Sequence, residues 1–100
     1  MLTKEQITTI LREQYPYLAQ EYGIQRLGLF GSYARGTPHD QSDIDLVAEF
    51  RTPIGLKFVE LLDYLEHLFG KPIDLLTPVG IQGIRNRRFA KEIQESIVYV

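Results

Sequence analysis

Residues 43 to 50, Asp-Ile-Asp-Leu-Val-Ala-Glu-Phe, constrain the fold more than any other stretch of the chain. Polar and apolar side chains alternate at its start, and in an extended strand successive side chains point to opposite faces. Asp43, Asp45 and Val47 therefore share one face, while Ile44, Leu46 and Ala48 share the other. The apolar face demands a core beneath it, and a one-residue slip would bury the acids instead. Residues two apart on a strand stand about 6.5–7 Å from each other, so Asp43 and Asp45 are set side by side as like charges. Either a cation offsets that repulsion or the pair points at water.

The other elements can be read around this strand. Thr3 and Gln6 have the spacing of a capping box, and Leu2 is placed to pack on Ile7 across it. Ile7, Ile10 and Leu11 form one apolar stripe, which Pro16 limits. A second helical piece from Pro16 to Gly23 completes a helical hairpin or one kinked helix. IQRLGLF, residues 24–30, is the first strand, with Gly28 permitting a close neighbour. Gly31-Ser32 makes a turn, Ser32–Arg35 begins a short helix, and residues 36–42 are loop.

After Pro53, residues 54–70 carry Phe58, Leu61, Leu62, Leu65 and Leu68 at helical spacing and close on Gly70; Leu56 to Phe69 is read as core. Residues 72–76 are a third strand. Residues 81–95 read as one helix with Ile84, Phe89 and Ile93 inward and Arg85, Arg87, Arg88 and Lys91 elsewhere. The tail IVYV, 97–100, is β-prone and suited to adding a strand or holding a partner. This order predicts a small α/β (α+β) sandwich, helices packed against a mixed sheet.

One domain over residues 1–100 is all the length allows. A net charge of −2 argues against a partner held by bulk phosphate charge, so no direct nucleic-acid binding is expected. The absence of cysteine excludes disulfides and thiolate metal sites. His39 and His67 have no second histidine or cysteine at ligand spacing, which leaves no zinc site. No apolar run approaches the roughly 20 residues that cross a bilayer, and the N-terminal residues do not read as a signal segment. A cytoplasmic protein without membrane association is expected.

The acids acquire a chemistry once a third is added. Asp74 sits between Ile73 and Leu75 in the third strand. If that strand pairs beside the second, three carboxylates meet at one edge of the sheet. Hard oxygen ligands suit Mg²⁺, and such a set can hold two ions about 3.5–4 Å apart, the arrangement used in phosphoryl and nucleotidyl transfer. The loop before the strand supplies the complement. Gly31 allows close backbone approach, Ser32 offers a hydroxyl and an N–H at a helix start, and Arg35 can pair with phosphate or brace the carboxylates. Tyr33, inside this loop, is placed either to touch a nucleotide or partner or to pack.

The string Gly31-Ser32-Tyr33-Ala34-Arg35-Gly36, then Ser42-Asp43-Ile44-Asp45-Leu46, then Ile73-Asp74-Leu75, resembles the nucleotidyltransferase superfamily of DNA polymerase beta. More closely it resembles the minimal nucleotidyltransferase branch, antitoxins paired with HEPN-domain toxins. The resemblance implies a nucleotidyltransferase fold in which Asp43 and Asp45 ligate both Mg²⁺ ions. Asp74 would ligate the ion nearer the incoming hydroxyl and help to remove its proton, and Gly31 and Ser32 would hold the β- and γ-phosphates of ATP. It further implies transfer of AMP to a tyrosine of the HEPN-type toxin. Relatives that modify transfer RNA, messenger RNA tails or aminoglycosides carry an additional substrate domain. The 100 residues hold none, so recognition in trans by contact with a partner is expected. Two alternatives stay open: an antitoxin that neutralises by binding alone, and transfer to a small molecule of the aminoglycoside type.

Overall fold

In a computed structural model of the chain, which describes residues 2–39 and 41–100, the first helix starts at the cap read from the sequence. Met1 and Asp40, the latter within the loop expected over 36–42, lie outside the described residues. The Thr3 hydroxyl accepts the Gln6 N–H at 3.1 Å, and Gln6 Oε1 accepts the Thr3 N–H at 2.9 Å. Two of the N–H groups that a helix start leaves unpaired are thus satisfied reciprocally. Helix α1 then runs unbroken over Lys4–Tyr22 to Gly23, which takes the left-handed cap conformation. A hairpin at Pro16 does not form. Pro16 and Arg12, whose carbonyl loses its N–H partner, are both exposed, so water can replace the missing bond and the helix continues.

Strands β1 (Ile24–Phe30), β2 (Ile44–Phe50), β3 (Ile73–Leu76) and β4 (Val98–Tyr99) form one sheet in the order β3-β2-β1-β4. β1 is antiparallel to β2 and β4, and β2 is parallel to β3. The IVYV tail therefore adds a strand: Tyr99 pairs with Gly28, and the Val100 N–H donates to the Leu27 carbonyl at 2.9 Å. Gly28 is required there, because a Cβ at that position would stand 2.6 Å from Ile97 Cγ2.

The alternation in β2 divides the protein into two layers. Ile44, Leu46 and Ala48 are buried on the face covered by α1 and by α3 (Lys57–Phe69), together with Ile7, Leu11, Leu18, Leu61 and Leu65. Val47 points the other way, into a smaller cluster with Phe30, Ile81, Ala90 and Ile93. That cluster lies beneath α4 (Pro78–Gln82) and α5 (Arg87–Ser96). The short helix α2 (Gly31–Arg35) follows β1 directly and packs against β1, β2 and α5.

Three expectations are corrected. The helix after Pro53 begins at Lys57, not at residue 54, and Leu56 is 88% exposed instead of lying in the core, at an N-terminus without a side-chain cap whose first N–H groups donate to the Ile54, Gly55 and Leu56 carbonyls. The helix expected over 81–95 is two: α4 ends at Gly83, and Asn86 caps a new start by accepting the Phe89 N–H at 3.1 Å. Phe89, in the first turn of α5, is 53% exposed, while Ile93 one turn on stays buried. Strand β2 begins at Ile44, one residue later than expected, which leaves Asp43 just outside it.

Tyr33 packs. Its ring is fully buried in the α1/α3 layer, and its hydroxyl has no hydrogen-bond partner among the described residues. A buried hydroxyl in that state costs stability that a plain ring avoids. Tyr33→Phe is expected to leave the denaturant midpoint unchanged or to raise stability by up to about 2 kcal/mol. A clear fall in the midpoint would show that the hydroxyl is satisfied after all.

Candidate active site

The register of the sheet builds the site. Pairing of β2 with β3 sets Asp45 opposite Asp74, and pairing of β1 with β2 sets Phe30 opposite Asp45. Phe30 ends its strand, so Gly31 comes to rest directly against the Asp45 carboxylate. A Cβ on Gly31 would stand 2.1 Å from Asp45 Oδ2, and the residue has φ of +74°, in the left-handed region. Space and backbone conformation both require glycine.

Beyond α2 the chain is tied back before it enters β2. The Thr37 N–H donates to the Ser32 carbonyl at 2.9 Å. His39 and Ser42 then close on each other: the His39 N–H donates to Ser42 Oγ at 3.0 Å, and the Ser42 N–H donates to the His39 carbonyl at 2.9 Å. Ser42 is buried by this closure, and Asp43 follows it exposed to solvent.

A cavity of about 370 Å³ opens over the pair of acids. Gly31, Ser32, Arg35, Asp45 and Asp74 line it, five of the six residues singled out from the sequence. Asp43 does not line it, and among the described residues no three acidic or histidine side chains draw together as an ion cage. The convergence expected of three carboxylates is thus formed by two. The rest of the lining is apolar, with Leu76, Ile84 and Phe89 among its residues. Of the residues expected inward, Ile84 is partly buried against the Val47 cluster and lines the cavity as well, whereas Phe89 is exposed. A larger groove of about 460 Å³ runs between residues 48–53 and 77–79, but no second acid joins Glu49 in its lining.

The electrostatics follow from the geometry. Burial pushes the Asp45 carboxyl up to about 6; the negative charge of Asp74 and a hydrogen bond with it add to the rise, Asp43 contributes, and Arg35 opposes it. Two carboxylates this close ionise together only reluctantly, and they share a proton or accept a cation between them. The oxygens are hard donors of the kind Mg²⁺ prefers, and the glycine leaves room beside them, so the residues fit such an ion.

A raised carboxyl also makes a pH prediction. Below about pH 4 Asp45 is protonated in both the folded and unfolded chain, and its contribution is fully present. As pH rises towards 6 the unfolded chain ionises first, so stability is lost across that window and is level above it. Asp45→Asn is expected to abolish this decline and to melt above the wild type at pH 7 without divalent ions. Thermal melts between pH 4 and 7 check it; an equal decline in the variant would remove Asp45 as its source.

Residues 5–100 match the family described as nucleotidyltransferase domain. The chain is 38% identical to protein adenylyltransferase MntA of Thermococcus cleftensis over 101 residues, all of this chain and 98% of that protein. Among solved structures it resembles one provisionally described as a minimal nucleotidyltransferase, with a TM-score of 0.73 and 26% identity over 97% of this chain and 95% of that one. It also shares its fold with a toxin–antitoxin crystal structure containing AMP-PNP, at a TM-score of 0.62 and 24% identity over 98% of this chain and 72% of that one. With Asp45, Asp74 and the Gly31-Ser32 loop gathered at one cavity, the chain belongs to the nucleotidyltransferase family.

Proposed function

We propose that this chain, acting as a single minimal nucleotidyltransferase domain over residues 1–100, is a Mg²⁺-dependent protein adenylyltransferase. It transfers AMP from ATP to a hydroxyl, that of a tyrosine, on a HEPN-type toxin, releases pyrophosphate, and serves as the antitoxin in the cytoplasm. The observation that carries this reading is the meeting of Asp45 and Asp74 beside a glycine that cannot be replaced without striking Asp45. The full-length match to an archaeal protein adenylyltransferase supports the reaction class, and the fold shared with a toxin–antitoxin structure containing an ATP analogue supports the setting. No described helix is long and apolar enough to cross a membrane.

The part assigned to each residue is the one the family resemblance implies, and the lining of the cavity supports it for five of the six. Asp45 and Asp74, with Asp43 close enough for its charge to act on Asp45, would hold the metal, two ions being expected. Bound there, Mg²⁺ supplies neutralisation of phosphate charge and acidity to the attacking hydroxyl. Gly31 and Ser32 present backbone and hydroxyl to the β- and γ-phosphates, and Arg35 adds a positive charge on the same wall. Asp74, the more exposed of the facing pair, accepts the proton as the target oxygen attacks the α-phosphorus. The new O–P bond forms as the bond to pyrophosphate breaks.

A second reading is favoured by one observation: Asp43 stands outside the cavity. An antitoxin that merely occupies its toxin would not need that acid in place. The intact mass of the genetically adjacent or co-purified partner, after incubation with this protein, ATP and Mg²⁺, separates the two. A gain of whole AMP units is expected, and none with the Asp43→Asn/Asp45→Asn variant. An unmodified partner that the variant still neutralises would establish binding alone.

A further inference from the structure

The apolar wall of the cavity has no task in holding a triphosphate, yet its most prominent residue is oddly placed. Phe89 is a large aromatic side chain left 53% exposed in the first turn of α5. Its backbone is not loose: Asn86 caps its N–H at 3.1 Å, and the next residue, Ala90, and Ile93 one turn on are buried in the α4/α5 layer. The ring is therefore held at the surface by a well-anchored helix.

Phe89 also lines a second cavity of about 370 Å³, with Arg35, Glu92, Ile93 and Ser96. The two cavities share Arg35, Phe89 and Ile93, so they adjoin at these residues. Asp45 and Asp74 line the first, Glu92 and Ser96 line the second, and Phe89 lines both. On α5 the residues Phe89, Glu92, Ile93 and Ser96 follow the three- and four-residue spacing that puts side chains on one face. A nucleoside triphosphate whose phosphates lie against the acids and Gly31-Ser32 has its base to place on the apolar part of this lining. Phe30 lines the first cavity too but is only 5% exposed, so the open aromatic ring there is Phe89.

Resting on the nucleotidyltransfer reading above, we propose that Phe89 is the platform on which the base of the donor nucleotide stacks, with Ile84 beside it on the same wall. Aromatic stacking of a base adds roughly ten-fold or more in affinity and tolerates any base, because every base has a π face. Phe89 thus supplies affinity for the nucleoside half of the donor and none for its phosphates.

The test compares two probes on the full chain by calorimetry with Mg²⁺ present: a non-hydrolysable ATP analogue and inorganic tripolyphosphate, which has the phosphates but no base. Phe89→Ala is expected to weaken the ATP analogue about ten-fold or more and to leave tripolyphosphate within about two-fold. Phe89→Tyr keeps the ring and should bind both as the wild type does, whereas Phe89→Leu, apolar but without a ring, should lose affinity for the ATP analogue alone. An ATP analogue bound equally by wild type, Phe89→Ala and Phe89→Leu overturns the stacking. So does an equal loss of both probes in Phe89→Ala, which would make the ring a packing element. Wild-type protein that binds neither probe overturns the underlying nucleotidyltransfer reading, and the platform with it.

Discussion

Asp45 and Asp74 face each other across a parallel strand pair, with Asp45 half withdrawn from water, and the rest of the structure keeps them from separating. β2 is an inner strand, bonded on one side to β1 and on the other to β3. Its alternate residues Ile44, Leu46 and Ala48 are fully buried, so its register cannot slip without exposing them. The repulsion between the carboxylates is thus sustained by packing elsewhere in the sheet, as is usual where function opposes stability. The same register brings the end of β1 to Asp45 and makes Gly31 the only residue type that fits the turn.

The two faces of the sheet divide the work. Beneath α1 and α3 the larger cluster fills its space with Ile, Leu and a buried Tyr33, and supplies most of the apolar burial. Beneath α4 and α5 the smaller cluster reaches Phe30 at the end of β1, and Phe30 and Ile93 of that cluster line the cavity over the acids. The adjoining helices are short and rest on a few anchors, Ile81, Ala90 and Ile93. A cavity lined both by acids and by an exposed aromatic ring suits a ligand that is charged at one end and flat at the other.

Much of this was legible in the sequence where a local rule and the tertiary context agree. The Thr3–Gln6 box forms as its spacing requires, β1 has its expected limits, and the alternation in β2 sorts Asp45 and Ile44 to opposite faces. Asp74 meets Asp45 because β3 does pair beside β2, the condition on which the sequence joined it to the other acids. The rest depends on surroundings that spacing does not carry. Pro16 is compatible with a hairpin or with one helix, and its solvent-facing side decides for the single helix. A single helical period does not run across Gly83 and Asn86, where two short helices meet, and spacing alone does not tell that burial on this face of α5 reaches Ile93 and stops short of Phe89. Asp43 was grouped with Asp45 by strand spacing, which does not hold one residue before the strand begins.

The measurement that bears most directly on the site is a crystal structure with Mn²⁺ in place of Mg²⁺ and a non-hydrolysable ATP analogue, the metal located by its anomalous scattering. The expected result is metal ligated by both Asp45 and Asp74, with Asp43 turned in to join them and the phosphates against Gly31 and Ser32. Metal and nucleotide bound elsewhere on the protein, with the two aspartates left facing each other, would contradict it.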